Sequence, residues 1–266
     1  MSEQSSVQAE LKKLASMLAV PVTDLIFLDQ LDMAQLRYLG TAVNQAMQAE
    51  QAPLWASLAR AARFLPRRLA ANLAQTMLGA HVTANITYHL SPQEAIGIAR
   101  HFSIPFLADV ATHLIPERSQ PLLNAVPLPT MQRLTKHMTK QQDFATMGAF
   151  LDYLERDRVL AIVQHMQKPE AILRTAAYCQ HKAFLAEIVT DFSDEQLLDL
   201  LHAAHEHALW EEVLVIGSYL SPQQMARLGQ LSRQLSLEEA AHAAETLKQL
   251  SLETALNPIW EAITSP

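Results

Sequence analysis

The chain has one cysteine, Cys179, only six glycines, and aromatic residues at 6% of its 266 positions. A single cysteine excludes an internal disulfide framework and suits a reducing compartment. The sequence has no G-x-G-x-x-G, G-x-x-x-x-G-K or G-x-S-x-G stretch. That excludes the phosphate-cradling loop and the nucleophile elbow that those spacings build. No run approaches the ~18 uninterrupted apolar residues that read as a membrane span. The opening MSEQSSVQAE lacks a basic stretch followed by an apolar one, so no secretory signal is expected. Alternating Val, Ile, Thr and aromatic residues, the mark of a half-buried strand, are also missing. Basic charge is in deficit, with a net charge of −7, which argues against a nucleic-acid partner. A cytoplasmic location is the expectation.

Half the residues are hydrophobic and 18% are charged, ordinary proportions for a folded domain. Ala, Leu, Gln and Met are abundant, and straight-chain residues lose little rotamer freedom in a helix. A first helix is expected through Leu11, Leu14 and Leu18, stopped by Pro21, with Thr23 and Asp24 starting the next turn. Two further helices are expected over DMAQLRYLGTAVNQAMQAEQ and PLWASLARAARFL. Then follows PRRLAANLAQTMLG, with Pro66 at a helix start and Gly79 as a C-cap. The expected organisation is an N-terminal helical region over residues 1–82 and a continuous helical-repeat region over residues 83–266.

The repeat is visible directly. FLADVATHL at Phe106 returns as FLAEIVTDF at Phe184, and the 21 residues from each start share eight identities. A weaker copy begins at Thr146 and keeps apolar residues at Phe150, Leu151, Leu154, Ile162, Val163 and Met166, so the spacings are 40 and then 38 residues. The joints recur as well: LSPQ at Leu90, LIPE at Leu114, LERD at Leu154, FSDE at Phe192 and LSPQ at Leu220. Ser91 with Glu94, Ser193 with Gln196, Ser221 with Gln224, Ser236 with Glu239 and Thr139 with Gln142 have the spacing of a capping box. There a hydroxyl and a side-chain acceptor satisfy two orphan amides at a helix start. Pro92 and Pro222 fall at the first helical position, where a missing N–H costs nothing. A short amphipathic hairpin cannot bury its own apolar face, so copies stack and the same apolar positions return. The fold class is therefore all-α: a right-handed, α-solenoid-like stack of short helices with an N-terminal helical region.

These capped joints over roughly residues 85–235 resemble the helical repeats of the cytoplasmic N-terminal domain of MgtE-type magnesium transporters. They are also similar to the repeats of flagellar motor switch proteins of the FliG type. The resemblance implies the right-handed helical scaffold. It does not imply magnesium transport, because the chain lacks the transporter's nucleotide-sensing module and spans. The family's magnesium-binding acids match no positions here.

Candidate chemistry is sparse. The densest ligand cluster is His202, His205, Glu206, His207, Glu211 and Glu212. His202 and His205 share a helix face, but the spacing is not H-E-x-x-H and the cluster reads as a polar helix end, with no metal site expected. Asp109 and His113 stand four apart, yet the related copy has Glu187 and Asp191 there, which favours a structural role. Cys179 and His181 would point to different faces of a helix, so no catalytic pair is expected. No catalytic residue, cofactor or enzymatic activity is expected.

Charge is more informative. Between Glu50 and Glu94 there is no acidic residue, and Arg60, Arg63, Arg67 and Arg68 give the window a charge of +4. Together with Trp55 these arginines are the candidate contact for an anionic partner or membrane surface. The leading expectation is a non-enzymatic repeat protein that holds a protein partner. The alternative is a binder of an apolar small molecule or lipid, resting on membranes through its basic N-terminal helices.

Overall fold

A computed structural model describes residues 20–264 together with Val7, Leu11, Leu14, Ala15 and Leu18. The described residues form helices and no strand, and they fall into two compact units, residues 1–65 and 66–266.

In the first unit, Leu11, Leu14 and Ala15 are buried with Leu25 and Leu36 in a small core of its own. Pro21 precedes a 3-10 turn, Val22–Leu28, followed by α1, Met33–Phe64. Asp32 caps α1 in a full capping box: it accepts from the Gln35 amide at 2.8 Å, and Gln35 Oε1 accepts from the Asp32 amide at 3.1 Å. The sequence predicts two helices here. The structure runs one 32-residue helix straight through Pro53. Proline removes one ladder donor, but the segment around it is rich in helix-favouring Ala, Gln, Met and Leu. The Ser57 hydroxyl also donates to Pro53 O at 2.8 Å.

The second unit begins at Pro66 and holds fifteen α-helices among the described residues. These are α2 (Arg67–Leu73), α3 (Gly79–Thr87), α4 (Pro92–Ala99), α5 (Ile104–Thr112), α6 (Pro116–Ala125), α7 (Leu128–Gln141), α8 (Phe144–Leu151) and α9 (Arg156–Val163). They continue as α10 (Pro169–Tyr178), α11 (Lys182–Val189), α12 (Asp194–Glu206), α13 (Trp210–Gly217), α14 (Pro222–Ser232), α15 (Leu237–Gln249) and α16 (Asn257–Thr264). A π-turn over Ala74–Leu78 joins α2 to α3 and ends at Gly79, whose φ of 77° with ψ of 173° is an extended positive-φ conformation that glycine alone adopts readily. Because α2 and α3 pack on α4 and α5, this unit starts at Pro66, ahead of the boundary near residue 82 that the sequence suggests.

Packing follows a simple rule with one break: each helix lies against the next but one, except that α6 does not pack on α8 in this way. One row runs α3, α5, α7, α9, α11, α13, α15; the other contains α2, α4, α6 and then α8, α10, α12, α14, α16. This explains the repeat spacing. The copies at Phe106 and Phe184 open α5 and α11, which belong to the same row, while the copy at Thr146 lies in α8, in the other row. About 39 residues carry three helices, an odd number, so one step changes row and two steps restore it. Equivalent surroundings return only after 78 residues, which is where the identities are densest.

Serine capping boxes form at Ser91, Ser193, Ser221 and Ser236, with the partners read from the sequence. Thr139 with Gln142 does not form one. Thr139 lies inside α7, and Gln142 ends that helix in the left-handed region at φ 58°. The next start is capped instead by Asp143, which accepts from the Thr146 amide at 3.2 Å.

Candidate functional site: an apolar cavity between two helix rows

The second unit is not filled throughout. Between its rows lies a cavity of about 160 Å³, walled by helices from α5 to α13. Met131 and Met138 reach it from α7, Met147 and Phe150 from α8, and Phe192 follows α11. Only Thr135 and Thr175 bring a side-chain oxygen to the wall, and the Thr175 hydroxyl is already donated to Ala171 O at 2.7 Å. Among the described residues the wall holds no His, Cys, Ser, Lys, Arg, Asp or Glu. It does hold four methionines, Met131, Met138, Met147 and Met166, whose unbranched thioethers adapt to irregular apolar shapes. The amphipathic helices that make the wall were legible one by one. The space they leave depends on how two rows register and has no local sequence signal.

Beside the cavity, Asp152 organises the turn after α10. Its carboxylate accepts from Cys179 Sγ at 2.8 Å, from the Gln180 amide at 3.0 Å and from the His181 amide at 3.0 Å. His181 Nδ1 stands 3.3 Å away, and the Asp152 side chain is 4% exposed. The sequence predicts Cys179 and His181 on a helix, pointing apart. They lie past its end, and both converge on Asp152. The result is structural, because burial and then the hydrogen bond to Asp152 push the Cys179 thiol up to about 12. A thiol so held is protonated at neutral pH and is a poor nucleophile.

The histidine cluster also becomes concrete. His202 Nδ1 meets Glu239 Oε1 at 2.6 Å, and the His205 ring packs edge-on against His242. His207 Nε2 lies 3.5 Å from Glu170 Oε2. Among the described residues, no group of three or more His, Cys, Asp or Glu is placed to hold a metal ion. Burial alone would raise the Glu239 carboxyl, but hydrogen bonds from His202 and from Ser236 outweigh it and hold the group at about 2. A carboxyl depressed from 4.5 contributes stability above that value and loses it as pH falls toward about 2. Glu239→Gln should remove about 1–2 kcal/mol at neutral pH, allowing for solvent screening. Its unfolding free energy should converge on that of the unmodified chain at the acid end of a urea series. His113 differs: burial, then His81 at a 5.4 Å ring distance, lower its pKa, and Asp109 only opposes this.

The arginine window is divided. Arg60 and Arg63 are exposed near the end of α1 in the first unit, and Arg67 and Arg68 are exposed at the start of α2 in the second. Trp55, expected beside them as a contact residue, is only 7% exposed, and its indole N–H is buried with no hydrogen-bond partner among the described residues. Its ring turns inward from α1 with Ala59, one turn further on, so it is not part of an exposed contact face. No helix among the described residues is long and apolar enough to cross a membrane.

The fold and the cavity together define a class: an all-α stack of capped helices with an apolar interior space. No family model, curated protein or solved structure matches the chain.

Proposed function

We propose that the chain is a non-enzymatic binding protein that takes an apolar small molecule, such as the hydrocarbon part of a lipid, into the cavity between its helix rows. The observation that carries this reading is the cavity itself. An unfilled space of about 160 Å³ would cost a core on the order of 4 kcal/mol at ~24 cal/mol per Å³, much of a typical domain's stability. A hydrocarbon ligand offsets that cost. The wall offers it dispersion contacts and no charged group to desolvate. The setting suited to this reading is a reducing cytoplasm, because the lone Cys179 is free and buried.

The test is titration with a fluorescent fatty acid. The unmodified chain should bind it saturably, and Val163→Phe, which pushes a ring into the cavity from α9, should weaken binding at least about tenfold without lowering thermal stability. Equal binding by both chains would overturn the reading.

A second reading, a scaffold for a protein partner, is favoured by Phe64 at 85% and Leu237 at 93% exposure. The capped joints support a scaffold akin to the repeats of MgtE-type transporters and FliG-type switch proteins. Crosslinking in cells that recovers the chain alone would count against it.

A further inference from the structure

A second acid-free window lies in the wall of the cavity. From Arg118 to Gln142 the sequence has no acidic residue and four basic ones, Arg118, Arg133, Lys136 and Lys140. Three of them fall on α7. At about 3.6 residues per turn, Arg133, Lys136, His137 and Lys140 share the face opposite Met131, Leu134, Thr135 and Met138, which line the cavity. Arg133, Lys136 and Lys140 are exposed, and none has an ion-pair partner among the described residues. Arg118 is engaged elsewhere, over the Tyr88 ring. Another stretch of the same unit is strongly acidic: residues 182–256 hold twelve Asp and Glu against four Lys and Arg.

We propose that the outer face of α7 docks this chain on an anionic bilayer. The partner follows from charge and from the cavity together. Three unpaired cations on one exposed helix face, in a chain of net charge −7, fit a dense sheet of anionic headgroups, to which each juxtaposed cation adds attraction. The acidic residues of 182–256 are repelled by the same surface, which favours an approach through α7 over one through that stretch. A hydrocarbon ligand is stored in membranes, and α7 is a wall of the space that would receive it. Docking there leaves one helix, about 10 Å thick, between bilayer and cavity. These cations are separate in the chain from Arg60, Arg63, Arg67 and Arg68, which belong to α1 and α2. The proposal rests on the cavity reading for its purpose, but its electrostatics stand separately.

The experiment is co-sedimentation of the full chain with vesicles of mixed phosphatidylglycerol and phosphatidylcholine, and with phosphatidylcholine alone, at low salt. The expected results are binding to the anionic vesicles only, a loss of at least about tenfold in R133Q/K136Q/K140Q, and a change of under about twofold in R60Q/R63Q/R67Q/R68Q. All three changes on α7 are at exposed positions, and circular dichroism confirms that the variant is folded. No binding to anionic vesicles overturns the proposal, as does equal loss in the two variants or loss confined to the second. The fatty-acid titration on the same samples separates the two readings: R133Q/K136Q/K140Q should still take the probe in solution. Vesicle binding by a chain that takes no probe would support the docking face and remove the cavity ligand.

Discussion

Replacing Gly148 by alanine lowers the stability of the second unit by about 3 kcal/mol or more. Gly148 lies in α8 where it crosses α10, and a Cβ there would stand 2.5 Å from Thr175 O and 2.6 Å from Tyr178 Cβ. The first of these is backbone, which no rotamer change relieves, so one helix must move off the other. Met147 and Phe150 on α8 and Thr175 on α10 all line the cavity, so that displacement reshapes the space as well. Urea denaturation should show the loss as a lower midpoint. Gly40→Ala is the control with opposite sign. Its added methyl group meets nothing within 4 Å inside α1, and alanine should gain about 0.5–1 kcal/mol there through helix propensity. Equal effects at the two glycines would mean that α8 and α10 do not approach as described.

Asp152→Asn costs about 2–3 kcal/mol and exposes a chemistry that the native turn suppresses. The native carboxylate accepts from Cys179, Gln180 and His181 with both oxygens. Asparagine supplies one carbonyl and turns an NH₂ group toward an amide donor, so at least one backbone N–H loses its partner. Removal of the charge also withdraws a cause of the raised Cys179 pKa, leaving burial as the main one. The thiol titrates closer to its ordinary value of 9.0, and iodoacetamide should label it faster at mildly alkaline pH, because the thiolate is the reactive form. Unchanged stability and labelling would show that Asp152 does not hold this turn.

What the sequence disclosed and what it concealed divide along the range of the interactions. Serine caps at Ser91, Ser193, Ser221 and Ser236 are satisfied within three residues, so their spelling is enough to place them. Thr139 with Gln142 has the same spelling and fails, because the apolar stripe of α7 carries the helix past it and a stronger cap follows at Asp143. Pro53 misleads in the opposite sense, since the surrounding propensity outweighs one missing donor. The strong 78-residue echo was legible as a repeat. The alternation of rows behind it was not, because it depends on counting helices rather than residues. Asp152 meets Cys179 from 27 positions away and Glu239 meets His202 from 37, separations at which single-sequence pattern carries no signal. The cavity is the extreme case. Its wall draws on residues from Leu107 to Ile216, each an ordinary core residue in its own helix, and only their joint placement leaves room.

The central claim is that this room is occupied by hydrocarbon, and the methionines report on it directly. Ten methionines are distributed along the chain, of which Met131, Met138, Met147 and Met166 line the cavity while Met77 is 76% exposed. In a chain carrying ¹³C-methyl methionine, titration with a medium-chain fatty acid should move the four lining methyl resonances saturably and together, and leave Met77 where it was. Still resonances at all four, or movement at Met77 alone, would contradict the account.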